Sequence, residues 1–530
     1  KVAFPKTIDT QALADALRAL VKLHPQLTAH FGSEGSETVQ IVAPEQQVEI
    51  AMSNLSEAEL ERYKHEFVRP FNLNRGPLYH FEIVTTEQQV YLLMDVHHLV
   101  FDGASMDLFL NQLCARLNGE ALDSEDLSYA NFVMEEKEAE NGEAFAAASA
   151  WFQESLGTLE GVTEIPADLT NPIEQGTISL ATSPFDMSAV DAFCRANHIT
   201  PAHLTLAAVF YTLSRFSNSE RLCITTISNG RSNLRIHDTI GMFVNTLALS
   251  AQIGHQTVQA FLQEVSENFD KTLAHENYPF AKIAADYDLS AEIMFAYQMG
   301  VVSQYTCQGK ELGIESLELN VPKFRVAFYI KEYKGAPSVW IEYDNGRYSQ
   351  GLMQSLADSV SLAVQAFISN PKATLTNVPL VDTKQLSVLD GFNQNDVDYD
   401  DTQTVISLFR QQVAQHPDNI AMVYHDVRLT YQQVDEQSER IAQYVQSLGL
   451  SSEDVVSVLI PRSEWMVIAS LGVLKAGCAY QPLDPSYPAE RLNFMMQDAS
   501  AKLLIADAEL RPIVDEYQGK VLSLDRKSVV

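Results

Sequence analysis

The run from Val90 to Gly103 constrains this chain more than any other stretch of it. Val90 to Val96 is almost continuously apolar, the pattern of a strand buried on both faces. Two histidines, His97 and His98, stand at its end. Asp102 follows four residues after the second, then Gly103, and a helix begins near Ser105. In that helix Leu110, Leu113, Cys114 and Leu117 keep the i, i+3, i+4, i+7 spacing of a core-facing stripe. Strand ends are where α/β folds present side chains to a cleft. A neutral imidazole there can take a proton from an attacking amine or hydroxyl, and a glycine gives the backbone room to turn or to admit a substrate. Taken singly, these residues have plainer readings. His97 reads as a packing or hydrogen-bonding residue, and Asp102 as a helix cap or the partner of a loop-bracing cation. His98 alone reads either way; the whole H-H-x-x-x-D-G pattern between a strand and a helix tips it towards catalysis.

The chain has 530 residues, of which 46% are hydrophobic and 20% charged, enough for several cores in a globular protein. Its formal net charge of −33 repels phosphate backbones and anionic lipid, so neither nucleic acid nor a membrane surface is an expected partner. Five scattered cysteines, at 114, 194, 223, 307 and 478, show neither a disulfide framework nor zinc-ligand spacing, and no metal is expected. No signal-like start or membrane-length apolar run appears, and a cytoplasmic protein is expected.

The periodicity predicts an amphipathic helix over Thr10–Leu23, extended segments around 38–42 and 79–84, and one helical stretch over Glu135–Ala150. The polar segment from Ile165 to Gly176 reads as a lobe boundary. The pattern then restarts: a helix over Leu204–Leu213, strands over Leu222–Ile227, Val326–Ile330 and Val339–Tyr343, and a long helix over Leu352–Ile368. Residues 1–165 and 166–375 thus read as two mixed α/β lobes of similar size, 376–402 as a polar, acidic linker, and 403–530 as a further α/β unit.

The stretch Asp95–Gly103 resembles the signature of nonribosomal peptide synthetase condensation domains, and every defined position matches. Other stretches agree in the family's order. Ala12–Phe31 resembles its early helix and the motif after it, Ala150-Trp151-Phe152 its Y-W element, and Asn229-Gly230-Arg231 its G-R pair. Ile240-Gly241-Met242-Phe243-Val244-Asn245-Thr246-Leu247 is similar to I-G-x-F-V-N-T, and His275–Phe280, less perfectly, to H-Q-x-x-P-F-E. The resemblance spans roughly residues 1–375. It implies two chloramphenicol-acetyltransferase-like lobes in a V, with His98 as the catalytic residue in a tunnel at their junction. His97, Asp102 and Gly103 would be structural parts of the active site. Arg231 would pair with Asp102 from the other lobe, and Ile240–Leu247, Asn245 included, would line the junction. Asn245 by itself reads equally well as an ordinary strand end. The family's first motif, upstream of the first helix, is not in the sequence, which suggests a truncated start. Ser290–Gln298 matches its counterpart poorly.

Further on, Leu429-Thr430-Tyr431 and Leu474–Asp484 resemble the first two motifs of adenylation domains, which shape that fold rather than touch ATP. As local structure the second reads as a helix ending at Gly477 and a turn at Pro482. No T-S-G-T-T-G-x-P-K-G loop, G-G-x-S carrier site or G-x-S-x-G elbow occurs, so an incomplete adenylation subdomain that activates nothing by itself is expected. The resemblance therefore implies amide formation between a carrier-bound acyl or peptidyl thioester and a carrier-bound aminoacyl acceptor, in the biosynthesis of antibiotics or other secondary metabolites. Upstream and downstream carrier domains and the rest of an adenylation domain would be the partners. Their phosphopantetheine arms would be substrates, with no cofactor held covalently by this chain. Two other classes fit the central motif: a coenzyme A-dependent acyltransferase, and a catalytically silent scaffold that docks carrier domains. The adenylation-like tail argues against the first, and the presence of His98 and Asp102 against the second. An epimerisation domain also carries the motif, but an adenylation start seldom follows one.

Overall fold

The computed structural model describes residues 1–35, 37–43, 47–121, 129–157, 159, 163–173, 176–300, 304–317 and 321–524. They form two compact units, Lys1–Gly391 and Phe392–Val530.

Among its described residues the first unit holds two large sheets and two small two-stranded ones. Strand Val90–Val96 lies at the centre of a five-stranded sheet, between Val2–Phe4 and Tyr79–Thr85, both antiparallel to it. It is buried on both faces over its first four residues. Val90 and Leu92 face a core made by helices Thr10–Leu23 and Gly103–Leu117. Tyr91 and Leu93 face Leu60 and Phe67 of helix Glu57–Phe67. The Thr10–Leu23 helix begins where the Asp9 carboxylate accepts the N–H groups of Gln11 and Ala12, and it buries Leu13, Leu17, Leu20 and Val21. Each such side chain contributes about 1.5–3 kcal/mol of burial. Met94, Asp95 and Val96 are only half-buried, so the strand emerges from its core where the histidines begin.

The second sheet has six strands, in the order Ile178–Pro184, Ala336–Asp344, Val326–Tyr333, Ile293–Tyr297, Arg221–Ser228 and Asn245–Gln252. Helices Met187–Asn197, Pro201–Ser217, Val258–Ala274 and Gln350–Ser369 cover one face, around Phe261, Phe295, Phe328 and Phe367. Ile293–Tyr297 and Val326–Tyr333 are adjacent and parallel, yet the chain between them crosses to the other lobe. There Gly313–Ile314 extends the five-stranded sheet beside Val2–Phe4, Cys307 and Leu312 enter its core, and the Tyr305 hydroxyl hydrogen-bonds Asp107.

The expected single helix over Glu135–Ala150 is two helices, Tyr129–Ala139 and Glu143–Leu156. Asn141-Gly142 breaks it: the Gly142 N–H closes a turn on the Ala139 carbonyl at 2.9 Å, and Gly142 then caps the second helix with extended backbone. Of the segment read as a lobe boundary, Glu174 and Gln175 lie outside the described residues; its other residues form neither helix nor strand. Within the range read as a linker, Val378 is buried against the second sheet's helices, its carbonyl accepting from Tyr211 at 2.7 Å, and a helix spans Thr383–Phe392. The division between the compact units falls at the end of that helix.

The second unit carries a parallel sheet in the order Ala479–Pro482, Val455–Leu459, Leu503–Asp507, Lys520–Leu524, with a hairpin, Ile420–Tyr424 and Val427–Thr430, beside it. Helix Glu464–Lys475 ends just before Gly477, whose φ of +81° is a left-handed value suited to glycine. Among the described residues no helix is long and apolar enough to cross a membrane.

Candidate active site

Beyond Val96 the chain makes one tight turn, His98–Val100, before the helix Gly103–Leu117. The two histidines are held in opposite ways. His97 Nδ1 accepts the Leu99 N–H at 3.1 Å, so in the neutral ring the proton sits on Nε2. Burial lowers the His97 pKa, the neighbouring His98 lowers it further, and Asp95 opposes both. Its ring meets the Phe71 ring edge-on, and Phe71 in turn stacks on His80 at 4.5 Å. His98 faces solvent, with its Nδ1 2.8 Å from the Phe101 carbonyl oxygen. A carbonyl only accepts, so Nδ1 carries the proton and Nε2 of the neutral ring keeps its lone pair free for a substrate. Exposed Leu99 stands beside it.

The turn is locked from the other lobe. Asp102 caps the helix by accepting the Ser105 N–H at 2.7 Å, and its second oxygen accepts the Phe243 N–H at 3.1 Å. Arg231 Nη2 donates to both Asp102 oxygens, at 3.1 and 3.2 Å, and to Ser105 Oγ at 3.1 Å. Its Nη1 donates to the carbonyls of Ile236 and Thr239, and its guanidinium lies 4.3 Å from the Phe243 ring centroid. The Asp102 side chain is fully buried and that of Arg231 only 5% exposed. An ion pair so far from water holds because each charge is met by further hydrogen bonds.

The structure thus brings His97, His98, Asp102, Gly103 and Arg231 together. Gly103 opens the helix with nothing within 4 Å of where a Cβ would stand, so neither packing nor backbone demands a glycine there. Asn245 begins the edge strand Asn245–Gln252, level with Ser228, and is half-buried; it leads away from the Gly241–Phe243 contact with Asp102 rather than entering it.

Two partners of this lock carry no motif signal of their own. Ser105 Oγ donates to the Gly241 carbonyl at 2.9 Å and accepts the Gly241 N–H at 3.1 Å, closing a two-way clamp between lobes. Tyr129 donates to the Met242 carbonyl at 2.8 Å, and a Cβ at Gly241 would come within 2.2 Å of its ring. Ser105 could have been suspected as the third residue of a helix capped by Asp102; nothing near Tyr129 in the sequence marks it. Among the described residues no three His, Cys, Asp or Glu side chains are grouped to hold a metal ion.

The geometry presents a histidine with a free ring nitrogen where two α/β lobes are bolted together. Residues 2–389 match the model of the condensation domain family and 409–530 that of the AMP-binding enzymes. The chain belongs to the condensation domain family, and its order of a condensation domain followed by the N-terminal part of an AMP-binding unit is that of nonribosomal peptide synthetases. It is similar to tyrocidine synthase 2 of Brevibacillus parabrevis, 28% identical over 542 residues that make up 98% of this chain and 15% of that protein. Gramicidin S synthase 2 of Brevibacillus brevis is 27% identical over 537 residues, 98% of this chain and 12% of that one. The chain therefore spans only 12% to 15% of the length of these curated relatives. A crystal structure of a four-domain holo nonribosomal peptide synthetase bound to AMP and glycine superposes with a TM-score of 0.78 at 20% identity, covering 100% of this chain and 43% of that one. The first condensation domain of the calcium-dependent antibiotic synthetase gives 0.57 at 18% identity, over 72% of this chain and 93% of that one. The fold is theirs, and condensation domains of these synthetases are amide-forming enzymes that work with carrier-bound phosphopantetheine.

Proposed function

We propose that this chain joins a carrier-bound acyl or peptidyl thioester to the amine of a carrier-bound aminoacyl thioester, with His98 at the reacting centre. The observation that carries this is the Nδ1–H to Phe101 carbonyl bond, which leaves His98 Nε2 as the acceptor facing solvent. The acceptor's α-amine attacks the donor thioester carbonyl. The new C–N bond forms, the C–S bond breaks, and the proton lost from nitrogen ends on the departing thiolate, with His98 Nε2 placed to carry it. An α-amine has a reference pKa of about 7.7–8.0, so much of it is already neutral near pH 7.5 and a strong base is not required. Positioning is then the larger contribution: holding both arms beside one imidazole replaces a bimolecular encounter. His97, through Leu99, and the Asp102–Arg231 pair keep the turn that aims His98. Partner carrier domains supply both thioesters on their phosphopantetheine arms, with no cofactor attached to this chain, and the rest of an adenylation domain completes the second unit. Five buried free cysteines suit a reducing, cytoplasmic setting.

The test compares His98→Gln and His98→Ala with the unaltered chain, using loaded donor and acceptor carriers and intact-mass detection of the amide. Gln can hydrogen-bond the amine but cannot take its proton. Turnover near that of the unaltered chain with Gln, and a loss with Ala, is expected. Equal loss in both would overturn the positioning role, and full activity of His98→Ala would overturn the site.

A further inference from the structure

Helices Met187–Asn197, Pro201–Ser217, Val258–Ala274 and Gln350–Ser369 cover one face of the six-stranded sheet, and on the other, helices Glu143–Leu156 and Phe280–Tyr287 pack on Cys223 and Ala248 of its last two strands. On that other face, strands Val326–Tyr333 and Ala336–Asp344 present Tyr329, Lys331, Tyr333, Trp340 and Glu342 side by side, as their alternation with the core residues Phe328, Ile330, Val339 and Ile341 requires. Lys331 Nζ lies 3.9 Å from the Trp340 ring centroid and 4.9 Å from that of Tyr329. Tyr333 closes on Trp340 edge-on at 5.0 Å. Among the described residues, Glu342 is the carboxylate whose charge acts on Lys331; it accepts the Trp340 Nε1–H at 3.2 Å and forms no ion pair with the lysine. Lys331 is half-buried, and no hydrogen bond or ion pair joins its ammonium to another described residue. Burial lowers its pKa, against the pull of Glu342. A cation desolvated on one side by aromatic rings, and met by no acceptor among the described residues, binds an anion more strongly than an exposed lysine does.

Its place in the sheet connects it to the reacting centre. Thr226 pairs with Phe295, and Phe295 with Phe328, so Ser228 falls level with Ile330, one residue before Lys331. Two strand spacings separate these rows, about 10 Å. Three residues beyond Ser228 stands Arg231, which grips Asp102. Lys331 is therefore at the end of the sheet that delivers Arg231 to the His98 turn, and exposed Ile227 lies on the same face, between Lys331 and the part of it that helices Glu143–Leu156 and Phe280–Tyr287 cover.

We infer that Lys331, on its Trp340–Tyr329 shelf, is the specificity residue for an anionic group on one of the two thioester substrates: the side-chain carboxylate of an acidic aminoacyl unit. This rests on the amide-forming reading. The arm's own phosphate is the other anion present, and the experiment separates the two. Carriers loaded with aspartyl-, asparaginyl- or alanyl-phosphopantetheine are offered in the donor and then in the acceptor position to the full chain and to its Lys331→Met and Lys331→Arg variants. In one position kcat/KM is expected to favour aspartyl over asparaginyl by about tenfold, the size of one charge-assisted hydrogen bond. Lys331→Met should abolish that preference while leaving the alanyl rate in place, and Lys331→Arg should keep it. An aspartyl-to-asparaginyl ratio equal in the unaltered chain and Lys331→Met, in both positions, overturns the assignment. So does an equal loss for all three substrates in Lys331→Met that disappears with pantetheine thioesters lacking the phosphate, since the anion is then the arm. If no pair gives amide, the alanyl pair included, the amide-forming reading itself falls and takes this one with it.

Discussion

Asp102→Asn is the substitution that most directly tests how the two lobes hold the catalytic turn. The carboxylate accepts from Ser105 N–H and Arg231 through one oxygen, and from Phe243 N–H and Arg231 through the other. Asparagine has the same shape but only one accepting oxygen. Whichever way the amide is turned, its NH2 meets two donors, Arg231 together with either Ser105 or Phe243. The buried guanidinium is also left without a counter-charge. Breaking one side of a buried pair costs about 3–5 kcal/mol. At about 2–4 °C per kcal/mol for a large domain, the melting transition of the first unit should fall by roughly 6–20 °C. Scanning calorimetry beside near-UV circular dichroism reads this. Removing the stranded cation should return part of the loss, so Asp102→Asn with Arg231→Met should be less destabilised than the sum of the single changes, by more than about 1 kcal/mol. Additivity within about 0.5 kcal/mol would refute the coupling and reduce Asp102 to a helix cap, for which the expected cost is only about 1 kcal/mol.

Two more outcomes follow from the turn itself. Gly103→Ala should leave the melting temperature unchanged or slightly raised, because the space is open and alanine suits a helix's first turn, while amide formation falls if substrate occupies that space; thermal melts and the carrier assay read the two separately. The lowered pKa of His97 means its neutral form favours the fold: that stability is complete above the unfolded value of about 6.5 and is lost as pH falls through the lower folded value. Protonation also removes the acceptor of the Leu99 N–H. Stability and amide formation should both decline below about pH 6, and His97→Asn, whose amide oxygen can still accept, should flatten that decline in denaturant titrations at about pH 5.5 and 7.5.

The parts of the site legible in the sequence are those written in one local pattern. A two-faced apolar strand, two histidines, a capping aspartate and a helix stripe lie between Val90 and Leu117, and each has its own periodicity or chemistry. The Val90–Val96 strand and the Thr10–Leu23 helix keep their expected bounds for that reason. Arg231 is reached through resemblance rather than physics, because nothing local says that a cation 129 residues away meets Asp102. Ser105 and Tyr129 act through backbone groups of Gly241 and Met242, and a hydrogen bond to a distant carbonyl has no sequence pattern. The break at Gly142 is of another sort: the acidic, alanine-rich composition suggests a single helix, yet one glycine after an asparagine is enough to end it.

The paired histidines divide the work, one holding the turn and the other, on the proposed reading, facing the substrate. His97 offers its Nδ1 lone pair to the protein, while His98 offers its Nδ1 proton, so the adjacent rings adopt opposite tautomers. The arrangement holds only while the His97 ring is neutral, since a protonated His97 loses its bond to Leu99, the residue that follows His98. A desolvated His97 beside Phe71 stays neutral to lower pH than a free imidazole, and that neutrality is transmitted to His98 as position rather than as charge. The Asp102–Arg231 pair fixes the far end of the same five-residue turn. Loss of His97 and loss of Arg231 should therefore act on His98 through the same coordinate, its placement relative to the amine. Their effects on amide formation should combine to less than the product of the single losses, whereas two independent contributions to chemistry would multiply in full.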